Sequence, residues 1–179
     1  KEEIPWETMI SFLTVSRLCE SMSKLSIAER FVDQSALADI LGIDPLKVNK
    51  DRLYRAMDQM LPCKRALGEH LKKRYGELFH LDYELFLYDM TSTYFEGQCP
   101  SNPQARRGYS RDQRSDCKQV TLALVVTKEG MPLFFEIFDG NRRDVTTVEE
   151  IVDYVESLYG KTDRVWVMDR GMVSEKNLE

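Results

Sequence analysis

The sequence predicts a fold of the α+β/α/β class, with a helical N-terminal region followed by a mixed β-sheet. Apolar residues recur at helical spacing through residues 1–80, and short β-branched and aromatic runs prevail over residues 81–179. One helical segment separates two of those runs. With 179 residues, the chain is long enough for one medium domain or two small ones. We therefore expect a helical domain over 1–80 and a sheet domain over 81–179.

The helical domain contains a candidate helix-turn-helix. Residues 35–42 form a short amphipathic pattern ended by Gly42, and Asp44 with Pro45 is typical of a following helix start. The second helix would run to Pro62 and has the basic residues Lys47, Lys50, Arg52 and Arg55. Two packed helices with a solvated basic face give the same pattern, so DNA recognition and simple packing both stay open. A third helix is predicted over residues 64–79.

The sheet domain opens with a strand in LFLYDMTSTYFE, residues 85–96, and continues with a loop rich in Pro, Asn, Arg and Gly. Two further strands, 119–127 and 132–139, form a hairpin around a tight turn. The last strand, 165–168, follows a helix and precedes another.

The helix between the third and fourth strands has two candidate starts, because Thr146 and Thr147 each begin a capping-box pattern. It would end at Gly160, and a further helix start is expected at residues 174–177. The resulting order, β-β-β-α-β-α, is the first part of an RNase H-like fold. In that fold the ends of the first and fourth strands lie side by side.

Two of these strands lead to an aspartate. Asp89 interrupts the first, and Asp169 directly follows the fourth. A carboxylate in a central strand costs several kcal/mol unless it is paired, hydrogen-bonded or bound to a metal. The pair therefore predicts one cation site. The alternative is that each aspartate caps a turn or pairs with a nearby arginine.

Charge is unevenly distributed along the chain. The net charge is −5, but residues 47–74 contain nine Lys and Arg against three Asp and Glu. Residues 99–118 contain five against two, whereas residues 119–179 contain seven against twelve. Two basic segments thus precede the acidic segment that contains Asp169, as expected for a protein that contacts nucleic acid.

Several classes are excluded or disfavoured. No apolar run is long enough to span a bilayer, and no signal peptide opens the chain. Four scattered cysteines without C-x-x-C spacing argue against a zinc ribbon and favour reduced thiols in the cytoplasm. His70 and His80 are too far apart for a one-turn metal pair. Because the chain opens on Lys1 and stops where a helix would begin, we expect it to be a fragment.

Four stretches, in this order, resemble bacterial insertion-sequence transposases of the DDE type, and most closely the group with a Y-R-E-K signature. They are YDMTSTYFEG (88–97), RRGYSRDQRSDCKQV (106–120), FDGNRRDVTTVEEI (138–151) and VWVMDRGM (165–172). The resemblance covers nearly all of residues 81–179. It implies that Asp89 and Asp169 are the first two catalytic and metal-binding acids.

The third acid of that family, a glutamate on a later helix, has no counterpart in this sequence. Glu175 and Glu179 follow Asp169 too closely to be that residue. We therefore expect this chain alone to be inactive. For the whole enzyme the resemblance implies two Mg²⁺ (or Mn²⁺) ions, DNA element ends and target DNA as partners, a homodimer on paired ends, and a location at the bacterial nucleoid.

Further site candidates lie in the same motifs. The loop before the second strand supplies expected DNA contacts, namely Arg106, Arg107, Tyr109, Arg111, Arg114 and Lys118. Tyr109 is a candidate for stacking on a displaced base. Arg170 is expected to pair with Asp169 or to contact phosphate. Asn141 and Asp144 belong to a G-N-x-x-D-x-x-T motif, in which Asp144 serves either the site or the helix start.

Two other functions stay open. Without the third acid, the chain would be a non-catalytic DNA-binding remnant or regulator that contacts phosphates through its basic residues. With the same fold and a different reaction, it would be an RNase H-like nuclease that only hydrolyses. Strand transfer of a 3′-hydroxyl end separates a transposase from such a nuclease.

Overall fold

The computed structural model describes residues 4–81, 83–109 and 112–172, with the backbone alone for Asp144. The chain divides into two compact units between Leu67 and Gly68. This division falls inside a helix, whereas the limit expected between residues 80 and 81 marks the change from helices to strands. The domain assignments therefore stay a prediction.

The first unit is built from helices around one apolar core. The helices are α1 (Trp6–Cys19), α2 (Lys24–Ser26), α3 (Val32–Gln34), α4 (Leu37–Ile40) and α5 (Lys50–Met60), with a π-helical stretch at Ile27–Phe31 and 3₁₀ turns at Pro45–Lys47 and Leu61–Cys63. Met9 and Phe12 of α1 and Leu53 of α5 are fully buried. The rings of Phe12 and Phe31 meet edge to face at 6.3 Å, a favoured aromatic geometry.

The candidate helix-turn-helix differs from its prediction at the turn. Gly42 ends the first helix with φ +64°, a left-handed conformation that glycine adopts without strain. Asp44 and Pro45 begin a 3₁₀ turn instead of the second helix. That helix starts after Asn49, whose Oδ1 accepts a hydrogen bond from the backbone N–H of Arg52 at 3.0 Å.

Arg52 does not lie on a freely solvated basic face. Its Nη2 donates to the carbonyl oxygen of Ile4 at 2.7 Å, and its guanidinium lies 5.3 Å from the centre of the Trp6 ring. Arg52 thus ties the start of α1 to α5, a structural role. DNA recognition by α4 and α5 stays a prediction.

The second unit contains most of α6 (Lys64–Phe79) and a four-stranded sheet. The strands are β1 (Leu85–Phe95), β2 (Lys118–Thr127), β3 (Pro132–Asp139) and β4 (Val165–Met168), with helix α7 (Val148–Tyr159) between β3 and β4. Short 3₁₀ turns lie at Asp144–Thr146 and Arg170–Met172. Gly130, with φ +85°, lies in the turn of the β2–β3 hairpin.

The strand order is β3-β2-β1-β4. β1 is antiparallel to β2 and parallel to β4, and β2 is antiparallel to β3. This order and these directions confirm the predicted first part of an RNase H-like sheet up to β4. The expected helix start at 174–177 lies outside the described residues.

Helix α7 covers one face of the sheet. Phe86, Tyr88 and Met90 of β1 point to that face and are buried, together with Ile151 and Val155 of α7. Residues two apart in a strand share a face, so the odd-numbered residues of β1 point the other way.

The helix begins in the later of its two predicted registers, because Thr147 is its N-cap. The predicted capping box is nevertheless wrong, since the Thr147 side chain makes no cap hydrogen bond. Its hydroxyl is fully buried and lies 2.8 Å from the Tyr88 hydroxyl and 3.0 Å from the Met90 sulfur. Packing under the sheet thus takes the place of capping.

The other face of the sheet is apolar and open among the described residues. Its members are between 38% and 59% exposed: Leu124, Phe135, Ile137, Val165 and Val167. Among the helices that the structure describes, none is long and apolar enough to cross a membrane. The four cysteines are free thiols, of which Cys117 is buried.

Candidate active site

Asp89 lies on the open face of the sheet. Its β1 neighbours Tyr88 and Met90 are buried under α7, whereas Asp89 is exposed and sits opposite Leu124 of β2. The carboxylate has no hydrogen bond or ion pair with another described residue. A charge at this central position is therefore left available in the part of the chain that the structure describes.

Asp169 lies next to Asp89 because β4 runs parallel to β1. The register pairs Leu87 with Val167 and Tyr88 with Met168, so the next position along brings Asp89 beside Asp169. Neighbouring strands are about 4.8 Å apart. Both side chains line one concavity of about 350 Å³ on the open face. We call it the carboxylate concavity; its other walls are Leu87, Tyr88, Thr91, Leu122, Leu124, Val126, Val167 and Met168.

The alternative role of these aspartates, as turn caps or arginine partners, is not what the described residues show. Asp169 accepts a bond from Met172 through its backbone carbonyl at 2.9 Å, not through its carboxylate. Arg170 is exposed and does not pair with Asp169, so that part of its prediction is wrong. Contact of Arg170 with phosphate stays a prediction.

The two carboxylates fit one divalent cation. Mg²⁺ is commonly held by one or two carboxylates while it keeps several waters, and both aspartates face solvent beside each other. Among the described residues there is no group of three His, Cys, Asp or Glu placed to hold a metal. The two aspartates thus suit one ion, and the described residues add no further carboxylate for a second ion.

A second concavity adjoins the first and has a different lining. It has a volume of about 590 Å³ and shares Asp169 and Thr91 with the carboxylate concavity. We call it the polar pocket; its remaining residues are Ser92, Tyr109, Gln119, Thr121, Asn141, Arg142, Arg143, Val145 and Gly171. Tyr109 and Asn141, two residues predicted for the site, thus line the same pocket as Asp169.

Gln119 fixes one wall of the polar pocket and was not predicted as a site residue. It is 2% exposed, and its Nε2 donates to the carbonyl oxygens of Tyr109 at 2.9 Å and Gly140 at 2.8 Å. Its backbone forms two further bonds with Arg106, so the loop is added to the edge of β2. The signal available in the sequence was an amide at the start of an otherwise apolar strand.

Two glycines allow this wall to close. A Cβ atom on Gly108 would overlap the carbonyl oxygen of Gly140, and a Cβ atom on Gly140 would overlap the carbonyl oxygen of Gln119. Backbone therefore packs directly on backbone at both positions. The loop segment up to Tyr109 is held against the turn that contains Asn141.

The basic residues of the loop differ in their surroundings. Arg106 and Arg107 are exposed, and Lys118 is half-buried at the start of β2. Arg111 lies outside the described residues. Arg114 forms a two-pronged ion pair with Asp116, at 3.0 Å for each bond, and lies 4.8 Å from the Tyr94 ring centre. Arg114 is thus engaged within the protein, and its predicted contact with DNA stays a prediction.

The Arg114 ion pair changes the titration of its neighbours. Its hydrogen bonds lower the pKa of the Asp116 carboxyl to about 2, with a further contribution from the Cys117 thiol. Burial, and then the hydrogen bond to Asp116, raises the pKa of that thiol. Cys117 is therefore held as a neutral thiol rather than a reactive thiolate.

The G-N-x-x-D-x-x-T motif forms the turn between β3 and α7. Arg142 Nη2 donates to Glu150 at 2.8 Å and to the carbonyl oxygen of Thr146 at 3.0 Å, which anchors the turn to the helix. Asn141 and Arg143 are exposed in the polar pocket. Asp144 begins a 3₁₀ turn, and its side chain lies outside the described part of the chain.

No protein-family model and no curated protein sequence matches this chain. Among solved structures it is similar to the Mos1 transposase paired-end complex with left transposon end, at 11% identity and a TM-score of 0.35 over 99% of this chain and 56% of that chain. A pre-cleavage Mos1 transpososome is similar at 12% identity and a TM-score of 0.35, over 99% of this chain and 57% of that chain.

The mariner Mos1 paired end complex with Mg is similar at 11% identity and a TM-score of 0.32, over 98% of this chain and 57% of that chain. This chain thus spans just over half the length of those structures. The DNA ends and the magnesium named for Mos1 are properties of those complexes.

Proposed function

We propose that residues 81–179 are part of the catalytic domain of a DDE-type transposase, which cleaves DNA strands and transfers the ends of an insertion sequence. One observation supports this best. Asp89 of β1 and Asp169, which directly follows the parallel strand β4, line one concavity, and the described residues include no cationic partner for either. The ordered motifs at residues 88–97, 106–120, 138–151 and 165–172, which resemble such transposases, specify the reaction further.

The chemistry accounts for the carboxylates. Two divalent ions about 3.5–4 Å apart, when bound, stabilise charge on the attacking and leaving oxygens of a phosphodiester. Asp89 and Asp169 would be ligands of such an ion. The resemblance implies a glutamate as the third acid of the set.

The surroundings of the two aspartates favour DNA as the substrate. Arg106, Arg107, Arg143 and Arg170 are exposed and make no ion pair with another described residue. Guanidinium groups bind phosphate oxygens with two parallel hydrogen bonds. We extend the proposal to element ends and target DNA as partners, and to a homodimer on paired ends.

A non-catalytic DNA-binding protein is the second candidate, because the described residues bring no third acid to the aspartates. The two functions differ in how cations affect DNA binding. In a catalytic site, Asp89 and Asp169 would hold a metal ion whose positive charge would attract a phosphate, so metal and DNA would bind with positive coupling. Binding through arginines alone gives no such coupling.

The test is the affinity of the chain for a short blunt-ended DNA duplex, measured by fluorescence anisotropy with Ca²⁺ and with EDTA. The proposal predicts that Ca²⁺ tightens binding of the wild type by at least about fivefold. Asp89→Asn and Asp169→Asn should lose this dependence, whereas the control Asp153→Asn, an exposed position on α7, should keep it. Equal affinity with Ca²⁺ and EDTA would favour the non-catalytic candidate, and no binding at all would contradict both.

A further inference from the structure

We infer that Asp116 competes with a DNA phosphate for the guanidinium of Arg114 and thereby weakens DNA binding. This inference rests on the proposed function and names a regulation of that function within the protein. The two side chains form an ion pair just before β2, where the loop joins the sheet. DNA would contact Arg114 only after the Asp116 carboxylate has been displaced.

Asp116 occupies the edge of the Arg114 guanidinium that a phosphate would use. Nε of Arg114 donates to Oδ1 of Asp116 and Nη2 donates to Oδ2, both at 3.0 Å. A guanidinium binds two oxygens of a phosphate with the same two parallel hydrogen bonds. The carboxylate and a phosphate therefore cannot use this edge at the same time.

The ion pair is accessible to solvent, so its partners can be exchanged. The Arg114 side chain is 37% exposed and the Asp116 side chain is 67% exposed. Exposed ion pairs contribute little to stability, because water and salt screen the charges. The hydrogen bonds with Arg114 lower the pKa of the Asp116 carboxyl to about 2, so the competing group is ionised at neutral pH.

Arg114 has other contacts that hold it in place when the carboxylate leaves. Its guanidinium lies 4.8 Å from the centre of the Tyr94 ring, and its Nη2 donates to the Cys117 sulfur at 2.9 Å. The Cys117 backbone N–H donates to the Arg114 carbonyl oxygen at 3.0 Å, which closes the turn. A guanidinium that is already positioned loses little conformational entropy when a phosphate binds.

The position of Tyr94 brings Arg114 within reach of DNA that is bound at the aspartates. Tyr94 lies five residues beyond Asp89 in β1, which is about 17 Å at roughly 3.3 Å per residue. It points to the same side of the strand as Ser92, which lines the polar pocket together with Asp169. Duplex DNA rises about 3.4 Å per base pair, so Arg114 would meet a phosphate about five base pairs from the cleaved one.

The experiment measures the affinity of the full chain for a blunt DNA duplex in Ca²⁺ by fluorescence anisotropy. The duplex has about 20 base pairs, so that it extends well past the expected contact. Asp116→Asn and Asp116→Ala should tighten binding about fivefold, because the competing carboxylate is gone. The control Asp112→Asn removes the same charge from an exposed acid of the same loop that forms no ion pair with a described residue, and it should change the affinity less than about twofold.

A double-mutant cycle assigns the effect to Arg114. Asp116→Asn should tighten binding about fivefold when Arg114 is present and less than about twofold when it is replaced in Arg114→Ala. In the Asp116→Asn protein, Arg114→Ala should also make the slope of log affinity against log salt concentration shallower by about 1, as loss of one phosphate contact predicts. Urea unfolding of each variant checks that the fold is kept.

The outcomes separate this inference from the proposed function. If wild type binds DNA and both Asp116 variants bind it equally or more weakly, Asp116 orients Arg114 or serves only the loop, and the inference is overturned while the proposed function is untouched. If binding tightens equally with and without Arg114, the carboxylate repels DNA in general, and competition for the guanidinium is wrong. If none of the proteins binds DNA, the proposed function fails and the inference fails with it.

Discussion

The two ends of the parallel β1–β4 pair differ in whether their charged side chains have hydrogen-bond partners. At the start of the strands, Arg164 donates to the carbonyl oxygens of Tyr83 at 3.0 Å, Tyr159 at 2.8 Å and Gly160. Lys72 donates to the carbonyl oxygen of Leu158 at 3.0 Å at the same end. At the other end of the paired segment, just after Tyr88 and Met168, Asp89 and Asp169 have no partner among the described residues.

This difference separates a structural role from a functional one. A charged group whose donors are all hydrogen-bonded within the protein contributes to folding and has no free donor for a ligand. A pair of like charges without partners opposes folding and attracts a cation. Substitution of the hydrogen-bonded cations should therefore lower the stability of the fold, whereas substitution of Asp89 or Asp169 should change cation binding.

Loss of the Arg164 contacts should have the largest effect on stability. Arg164→Ala removes one charged donor from three carbonyl oxygens and uncovers the Phe86 ring, which its guanidinium approaches to 5.4 Å. We expect the free energy of unfolding to fall by about 2–3 kcal/mol. Urea unfolding followed by circular dichroism measures this. A loss no larger than that of the exposed control Arg107→Ala would contradict the structural role.

Gln119 should come next, because it is a buried amide that satisfies two carbonyl oxygens. Gln119→Leu keeps most of the volume and removes both bonds, with an expected cost of about 1–3 kcal/mol. Gln119→Glu should cost more, since a carboxylate would then face two carbonyl oxygens. Urea unfolding of the three proteins, compared with exposed Gln98→Leu, checks this order. Equal stability of all would show that the loop is held by other contacts.

Removal of either carboxylate should leave stability almost unchanged. Asp89→Asn and Asp169→Asn remove repulsion between two exposed acids, so we expect a change of at most about 0.5 kcal/mol, in the stabilising direction. The same urea measurement, made without divalent metal, tests this. A loss of more than about 1 kcal/mol would mean that the carboxylates serve the fold.

The smallest effect is the pH dependence at Asp116. Its pKa is lowered in the folded state, to about 2 from 3.8, so the ion pair with Arg114 stabilises the fold above pH 3.8. That contribution is lost as the pH falls through the folded value. An NMR titration of the Asp116 carboxyl should show the low midpoint, and Arg114→Ala should return it toward 3.8. An unchanged midpoint in the variant would contradict the assigned cause.

Much of the sheet could be predicted from its sequence because each strand is a short β-branched or aromatic run bounded by turn residues. The positions of Asp89 and Asp169 were predictable for the same reason, since register follows from strand order and direction. The later start of α7 was one of two predicted registers. The packing of Thr147 under β1 selects the later register, and it depends on a contact between residues distant in sequence.

The errors concern side chains whose partners are distant or depend on geometry. Arg52 was counted with the basic face of its helix, but it is bonded to the carbonyl oxygen of Ile4. The pairing of Arg114 with Asp116 was not predicted. Gln119 was missed because an amide at the start of an apolar strand does not indicate which groups it will bind. Its role depends on two backbone carbonyls, one from the loop and one from the turn after β3.

The central claim is that Asp89 and Asp169 form one divalent cation site, and calorimetric titration of the chain with Mn²⁺ tests it most directly. Wild type should bind one ion, and Asp89→Ala and Asp169→Ala should each abolish that binding, whereas Asp153→Ala should not. Wild type without binding, or aspartate variants that bind as tightly as wild type, would contradict the claim.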